Sequence, residues 1–283
     1  MIRVYWKNKI QDASKVRISP VNTGLLYGES LFESIPVYHG VAFGLKEHMD
    51  RLKKGCIFLK WPMPKVTEFQ KGIWLFHREL GGDFLIRFNL TQEIHKTAGP
   101  KDFFTHAPVL YATARLLRHN PQDPKPLFGK VGISPWQAST REVFPNHFKA
   151  AVYMTTRKVF RDHPEWADVL RLDDKGFVVD GGSSTPFWFD GHKVCALPLS
   201  LGGLESVTRI KVLNICRQIG VSVVEKPWKP GDAVKKGEVF MAGSGVGVMG
   251  VSHINGLKLK NSGAMTDLLW QRYRTEVLKL GRG

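Results

Sequence analysis

A Gly-x-Gly-x-x-Gly run formed by Gly245, Gly247 and Gly250 most constrains the fold of this chain. In dinucleotide-binding proteins such a run joins a strand to a helix inside a βαβ unit, and an acidic residue about 20 positions later binds the ribose. Here an apolar run with a predicted turn at Asn255-Gly256 follows, and then only one further helix. No second parallel strand fits after that helix. The run therefore predicts a flexible loop whose amides and Ser244 hydroxyl approach a phosphate, with a ligand-free hairpin connection as the alternative.

The size and composition of the chain indicate a folded globular protein. Its 283 residues suffice for one large domain or two ordinary ones, and 43% hydrophobic content with 17 Phe and 8 Trp argues against disorder. Its apolar runs are much shorter than a membrane span, and MIRVYWKNKI alternates like a strand rather than a secretory signal. The cysteines Cys56, Cys195 and Cys216 do not have metal-ligand spacing. We therefore expect a soluble, cytoplasmic protein with buried thiols and no bound metal or membrane.

The formal charge of +16 admits nucleic acid, an anionic surface or small anionic ligands as partners. The basic residues are spread along the chain, and the densest stretches, KEHMDRLKK and VVEKPWKPGDAVKKGE, interleave acidic residues as solvated surfaces do. The sequence has no basic arm, zinc finger or RNA-stacking signature. This pattern argues against nucleic-acid binding.

Periodicity predicts an α+β organisation in both halves of the chain. One helix carries an apolar stripe at helical spacing, formed by Leu45, Met49, Leu52 and Cys56. DFLIRFNLTQ and APVLYATARLL follow as strands, and the second is predicted to be buried on both faces because it is nearly continuously apolar. The proline-rich RHNPQDPKPLFGK predicts a linker. We therefore expect an N-terminal domain over 1–118, a linker over 119–127 and a C-terminal domain over 128–283.

Two local signals organise the C-terminal half. Asp190-Gly191 between two apolar runs predicts a hairpin. Ser206 is a predicted N-cap of a helix that ends at Gly220. The free backbone amides of such a helix start can bind an anion.

Four separated blocks resemble the signatures of the fold type IV pyridoxal-phosphate enzymes, the class of branched-chain and D-amino acid aminotransferases and aminodeoxychorismate lyase. They are TGLLYGESLFESIPVYHG with the following LKEHMDRLKKG, LRLDDKGFVVDGGSSTPFWF, LGGLESVTR and GEVFMAGSGVGV. Their order and spacing match that family over nearly the whole chain. The resemblance implies a two-domain α+β fold with pyridoxal 5′-phosphate bound between the domains, and a homodimer.

The resemblance implies which residues bind the phosphate of the cofactor. They are Arg51, the helix start Ser206, Val207 and Thr208, and the loop residues Gly243 and Ser244, where the family has Gly-Thr. A guanidinium suits bidentate capture of a phosphate, and a helix N-terminus attracts an anion. For Arg51 alone, the alternative is an exposed partner of Glu47 one turn earlier.

By the same resemblance, Lys149 forms the Schiff base with the cofactor aldehyde. Its separation from the acidic position Asp180 is close to the family's usual one, whereas the separation of Lys158 is too short. Burial beside other cations lowers the pKa of an amine and makes it nucleophilic. A solvated surface lysine is the alternative for Lys149.

Asp180 occupies the position of the family's glutamate against the pyridine nitrogen, where a carboxylate keeps the ring protonated as an electron sink. Aspartate is one methylene shorter. Two further departures are Thr185 in place of an asparagine and Tyr153-Met154 in place of Asn-Tyr.

The resemblance implies an aminotransferase that interconverts an amino acid and a 2-keto acid, with the Lys149 amine as general base and then acid. Arg87, on an apolar strand, is the expected partner of the substrate carboxylate, and a buried structural ion pair is its alternative. Gly245 is expected to lie beside the substrate. Specificity is expected to depend on the loops 91–104 and 136–148.

Two other functions stay open. By the same resemblance, Ser34 stands where aminodeoxychorismate lyases have a hydroxyl residue with a role in protonation. Elimination of pyruvate is therefore the alternative reaction. A non-catalytic anion-binding relative would agree with the high positive charge, but the retention of Lys149, Arg51 and Ser244 argues against it.

Overall fold

The computed structural model describes residues 2–93, 108–117, 119–139, 145–260 and 263–280. The chain divides into two compact units, the first within Met1–Leu117 and His147–Val152, and the second within Arg118–Asn146 and Tyr153–Arg282. The expected domain end at residue 118 lies next to this division. The predicted linker 119–127 belongs to the second unit, and parts of both predicted specificity loops lie outside the described residues.

One short segment, 147–152, was expected in the C-terminal domain but belongs to the first unit. The Phe32 N–H donates to the Lys149 carbonyl at 3.0 Å, and Leu31 forms a β-bridge with Ala150. These backbone contacts attach the segment to a strand more than 100 residues earlier, which local sequence patterns cannot show.

The first unit contains six strands and three helices among its described residues. They are β1 (Arg3–Trp6), β2 (Lys9–Asp12), α1 (Thr23–Leu26), β3 (Leu31–Tyr38), β4 (Val41–Ala42), α2 (Leu45–Phe58), α3 (Val66–Leu80), β5 (Phe84–Thr91) and β6 (Val109–Leu116). The strands form an antiparallel sheet in the order β2-β1-β6-β5-β3-β4. Helix α2 packs on β3, and α3 packs on β2, β5 and β6.

The predicted helical stripe is confirmed in α2. Met49, Leu52 and Cys56 are buried, and Leu45 packs against the same core. Since burial of one large apolar side chain contributes about 1.5–3 kcal/mol, this stripe fixes α2 on the sheet. The buried face of α2 also contains the polar residues His48 and Arg51. Arg51 is one of the predicted phosphate-binding residues.

Both strands predicted after α2 are present as β5 and β6, but the prediction that β6 is buried on both faces is wrong. Of its 8 residues only Ala112 is buried, and Arg115 and Leu116 are exposed. Strand β6 is internal to the sheet by hydrogen bonding, because it pairs with β1 and β5. Its apolar character therefore reflects β-propensity in an internal strand rather than cover on both faces.

The second unit contains nine strands and four helices among its described residues. They are β7 (Phe128–Ile133), α4 (Met154–Asp162), β8 (Trp166–Leu172), β9 (Val178–Gly181), β10 (Thr185–Phe189), β11 (Val194–Ala196), α5 (Val207–Gln218), β12 (Val223–Glu225), α6 (Pro230–Lys235), β13 (Glu238–Gly243), β14 (Gly247–Ile254), β15 (Leu257–Lys258) and α7 (Ala264–Lys279). The sheet has the order β12-β11-β10-β13-β14-β7-β8-β9, and β15 pairs with β14. It is mixed, because β7 runs parallel to β8 and β14. The α+β prediction is confirmed.

The predicted turns are confirmed. Asp190-Gly191 joins β10 to β11, and the Asp190 side chain accepts from the His192 and Lys193 amides at 2.9 and 2.8 Å. Asn255 and Gly256 turn the chain from β14 to β15 with φ of 47° and 83°. Positive φ at both positions is the geometry that Asn-Gly pairs favour.

The glycine run lies in a hairpin between antiparallel strands. Gly243 ends β13 and pairs with Gly247 at the start of β14, and Ser244 to Val246 form the turn. A βαβ unit is therefore absent at this position, as the sequence predicted.

The three cysteines are free and buried. No set of three His, Cys, Asp or Glu side chains in the described part of the chain has the arrangement of a metal site. The described helices include none that is both long and apolar enough to span a bilayer.

Candidate active site

In the second unit, two backbone amides position the carboxylate of Asp180 at the end of β9. The Gly181 N–H donates to Oδ1 and the Leu204 N–H donates to Oδ2, both at 2.9 Å. Burial raises the pKa of Asp180 to about 6, opposed by these hydrogen bonds and by the charge of Arg171. Arg171 lies opposite Asp180 on β8. The acid is therefore ionised at neutral pH and titrates in a range accessible to experiment.

A buried carboxylate, Asp168 on β8, organises the turn between β9 and β10. Its Oδ1 accepts the N–H groups of Val169, Gly182 and Ser183 at 2.8, 3.0 and 3.1 Å, and its Oδ2 accepts the hydroxyls of Ser183 and Ser184. Burial raises the pKa of this carboxyl. The turn therefore wraps around Asp168, with Asp180 before it and Thr185 after it.

The N-terminus of α5 lies beside this turn. The Ser206 hydroxyl caps the helix by accepting from the Arg209 N–H at 3.0 Å, as predicted, and it forms a 2.9 Å hydrogen bond with the Thr185 hydroxyl. Val207 and Thr208 are the first residues of the helix, where N–H groups have no acceptor within the helix. Such amides bind anions.

The glycine hairpin approaches the same turn. A Cβ placed on Gly243 would lie 2.9 Å from the Ser184 Cβ, closer than side chains normally approach. Only glycine allows this contact. Through Ser184, Thr185 and Leu204, the structure thus brings Asp180, the start of α5 and the Gly243 end of the hairpin into one cluster, with Ser244 and Gly245 in the adjoining turn.

In the first unit, one face of the sheet presents Phe32 and Ser34 of β3 together with Arg87 and Asn89 of β5. Ser34 lies opposite Arg87, and Phe32 lies opposite Asn89. The Arg87 guanidinium carbon is 3.6 Å from the Phe32 ring centroid, and its Nε donates to Asn89 Oδ1 at 2.9 Å. An arginine on an aromatic face is a favourable cation–π pair.

Lys149 reaches the same ring. Its Nζ lies 5.0 Å from the centroid of Phe32, and its own carbonyl accepts the Phe32 N–H. Lys149 and Arg87, the two cations that the resemblance assigned to the reaction, therefore contact one aromatic side chain. The rival Lys158 is exposed on α4 and pairs with Asp162 at 2.6 Å.

Arg51 lies on α2, where it contacts Glu33 of β3, and it is 6% exposed, which contradicts the exposed position considered from the sequence. Its Nε donates to Glu33 Oε1 at 2.8 Å and its Nη2 donates to Glu33 Oε2 at 2.6 Å. His48 Nδ1 lies 2.6 Å from the same Oε2. Although burial opposes ionisation, the charge of Arg51 and the hydrogen bonds from Arg51 and His48 lower the pKa of Glu33 to about 2.

Sequence reasoning did not identify several partners of the predicted site residues. They are Phe32, Glu33, His48, Asn89 and Asp168. Glu33 and Asp168 each stand in a largely apolar strand, and such a buried charge is costly unless it is paired. That cost was the available signal, but the identity of the partner depends on the tertiary contacts.

The comparisons with known proteins agree with this geometry. Residues 30–254 match the family model described as amino-transferase class IV. A Methanocaldococcus jannaschii protein, named as a candidate branched-chain-amino-acid aminotransferase, is 27% identical, with 99% of this chain and 98% of that protein covered. Aminodeoxychorismate lyase of Bacillus subtilis is 22% identical over 97% and 94% of the two chains.

A solved structure shares the fold. The branched-chain amino acid aminotransferase of Thermoproteus uzoniensis, a thermophilic archaeon, solved with norvaline, superposes with a TM-score of 0.83 at 20% identity. The match covers 98% of this chain and 95% of that one. With the family match over most of its length, the chain belongs to the class IV aminotransferases, the fold type IV family of pyridoxal-phosphate enzymes.

Proposed function

We propose that this protein is a pyridoxal 5′-phosphate-dependent aminotransferase that interconverts an amino acid and a 2-keto acid, with Lys149 as its catalytic amine. The observation that supports it most is the presence, on one aromatic ring, of this lysine and of Arg87. The family match supports the reaction class. Bound pyridoxal phosphate supplies an aldehyde that condenses with amines and a ring that accepts the electron pair released at the substrate Cα.

The chemistry of the second unit's residues fits this cofactor. An anionic partner stabilises a protonated pyridine nitrogen, and Asp180 provides a carboxylate fixed by two amides. A phosphate requires several donors, and the start of α5 with Ser206, Val207 and Thr208 offers amides and hydroxyls. Gly243 and Ser244 add a close backbone approach and one further hydroxyl.

We assign proton transfer and binding of the substrate carboxylate to residues of the first unit. The Lys149 amine takes the proton from the substrate Cα and returns it as general acid. Arg87 binds the substrate carboxylate in a direction fixed by Phe32 and Asn89. Arg51 binds the phosphate, and Gly245 of the second unit is assigned to the substrate. A homodimer, a cytoplasmic location and the absence of nucleic-acid partners stay predictions from the sequence.

The decisive experiment is the visible absorption of the purified protein titrated with pyridoxal 5′-phosphate. We expect a cofactor band that amino acids bleach in the wild type and that Lys149→Ala does not form, with a loss of turnover of at least about 1,000-fold. Lys158→Ala is the matched control, because Lys158 is exposed and paired with Asp162 on α4; it is expected to behave as the wild type. A wild type without any cofactor band would contradict the catalytic proposal.

The second candidate reaction is elimination of pyruvate, as in aminodeoxychorismate lyase. The observation that favours it is Ser34, which lies directly opposite Arg87 on the face that Lys149 also contacts. A hydroxyl in that position suits protonation of a released product. D-alanine, L-glutamate and aminodeoxychorismate, offered in turn, separate the reactions. Bleaching of the cofactor band by D-alanine or L-glutamate, with formation of the matching 2-keto acid, names the aminotransferase. Release of pyruvate from aminodeoxychorismate with the cofactor band regained names the lyase.

A further inference from the structure

Glu33 is a buried carboxylate with no assigned role in the reaction. It stands on β3 and is 0% exposed. Both of its oxygens accept from Arg51, at 2.8 and 2.6 Å, and His48 contacts one of them. Such a bidentate, charge-assisted pair fixes the plane of a guanidinium as well as its position.

Stability alone is a weak reason for this arrangement. Leu31 and Ile35, which share a face of β3 with Glu33, belong to the buried apolar core, as does Leu52 beside Arg51 on α2. Replacing a buried ion pair by apolar residues of similar volume is often neutral or stabilising, because both charges must be removed from water. What the pair provides beyond an apolar contact is a defined direction for the guanidinium.

His48 strengthens the pair without adding a charge. Burial is the largest effect on its pKa and lowers it. The charge and hydrogen bond of Glu33 oppose this, and the charges of Arg51 and Lys149 lower the pKa further, so that the net direction is downward. The neutral ring therefore donates its Nδ1 hydrogen to the ionised carboxylate of Glu33. Glu33 then accepts from two side chains of α2, which leaves its carboxylate little freedom to turn away from Arg51.

The geometry points to Glu33 as a positioning residue that aligns Arg51 for the phosphate of pyridoxal 5′-phosphate before the cofactor binds. This inference rests on the proposed function, in which Arg51 binds that phosphate. A guanidinium has five N–H donors, so it can bind one carboxylate and one phosphate together. An arginine already fixed in direction loses less entropy on binding the phosphate than a mobile one.

The test compares the affinities of the apoprotein for pyridoxal 5′-phosphate and for pyridoxal, which has no phosphate. Glu33→Gln is expected to weaken pyridoxal 5′-phosphate about 10- to 100-fold, the range for loss of a charge-assisted hydrogen bond, and to change pyridoxal less than about 2-fold. A merely structural role would weaken both ligands alike. Asp50→Asn is the matched control, because it removes an exposed carboxylate from the same helix as Arg51.

A double variant shows whether Glu33 acts through Arg51. Arg51→Lys alone is expected to weaken the phosphate form, and adding Glu33→Gln should then weaken it by less than about 2-fold more, since interacting residues are not additive. Equal losses for both ligands, an unchanged affinity in Glu33→Gln, or additive losses would overturn the inference.

Failure of Glu33→Gln to fold and failure of the proposed function give different results from a failure of the inference. If Glu33→Gln does not fold, Glu33→Asp decides: it keeps the charge but moves it by one methylene, and an unchanged preference for the phosphate form would overturn the inference. If the wild type binds no pyridoxal 5′-phosphate, or Arg51→Lys binds it normally, the assignment of Arg51 in the proposed function fails first, and the role of Glu33 fails with it.

Discussion

In the first unit the candidate site consists of long cationic side chains, and each is held by another side chain. Arg51 is held by Glu33, and Phe32 contacts both Arg87 and Lys149. In the second unit the candidate site consists of a carboxylate, hydroxyls and backbone amides carried on tight turns. Asp180 is held by two backbone N–H groups, and Gly243 packs against Ser184 where no Cβ fits.

The two units therefore place different requirements on their sequences. Flexible cations lose about 2 kcal/mol of rotamer freedom when they are fixed, so the first unit requires particular partners around them. Backbone amides need no such partners, because the fold already fixes them, and the second unit instead requires small residues at close approaches. In the first unit, substitutions that remove a charge or its partner should therefore weaken function most. In the second unit, substitutions that enlarge a small residue should do so.

Among the substitutions that test this comparison, the largest effect is expected at an exception to it, the charged Asp180 of the second unit. Asp180→Asn removes the anion assigned to the pyridine nitrogen, so kcat should fall about 100-fold or more, while Asp180→Glu should keep most of it. Steady-state kinetics measure both. Asp174→Asn, at an exposed position of the same unit, is the control.

The pH dependence tests the same residue. Since burial raises the pKa of Asp180 to about 6, the carboxyl is protonated below that pH and ionised above it. Cofactor affinity should therefore fall about tenfold between pH 7 and pH 5 in the wild type and stay nearly level in Asp180→Asn. An equal fall in both proteins would show that another group titrates.

A smaller effect is expected at Arg87 of the first unit. Arg87→Lys keeps the charge but cannot reproduce a planar group stacked on Phe32 with its Nε bound to Asn89. The KM for the amino acid should rise about 10-fold with little change in cofactor affinity. If cofactor affinity falls instead and KM is unchanged, Arg87 does not bind the substrate carboxylate.

In the second unit, size is tested at Gly243. Gly243→Ala would place a methyl group 2.9 Å from the Ser184 Cβ, so the hairpin or the turn must shift. Overpacking of about 1 kcal/mol would weaken the cofactor about 5-fold. Gly231→Ala is the matched control, because a Cβ there meets no atom within 4 Å. Equal affinities of the two variants would argue against a close approach of Gly243 to the phosphate.

The smallest effect is expected at Ser34 if the protein is an aminotransferase. Ser34→Ala removes one hydroxyl from the face that carries Arg87, and amino-group transfer should change less than about 2-fold. A lyase that uses this hydroxyl as its acid should instead lose about 100-fold or more of its pyruvate release. Ser34→Thr, which keeps a hydroxyl, separates loss of the acid from a change in packing.

The sequence by itself determined the local structure and the family. Helical spacing indicated α2, the Asp190-Gly191 and Asn255-Gly256 pairs indicated their turns, and Ser206 indicated the cap of α5, because each depends on interactions between residues close in the chain. The four sequence blocks indicated the class IV aminotransferases, which the family match confirms.

Only the tertiary structure decided which residues hold the candidate site residues in place. The pairing of Arg51 with Glu33, the turn around Asp168 and the attachment of Lys149 to β3 join residues between 14 and 117 positions apart. The prediction that β6 is buried on both faces failed for the same reason, because apolar composition does not show which face of a strand packs against another element. Side-chain partners and burial depend on how distant segments meet, and local periodicity carries no information about that meeting.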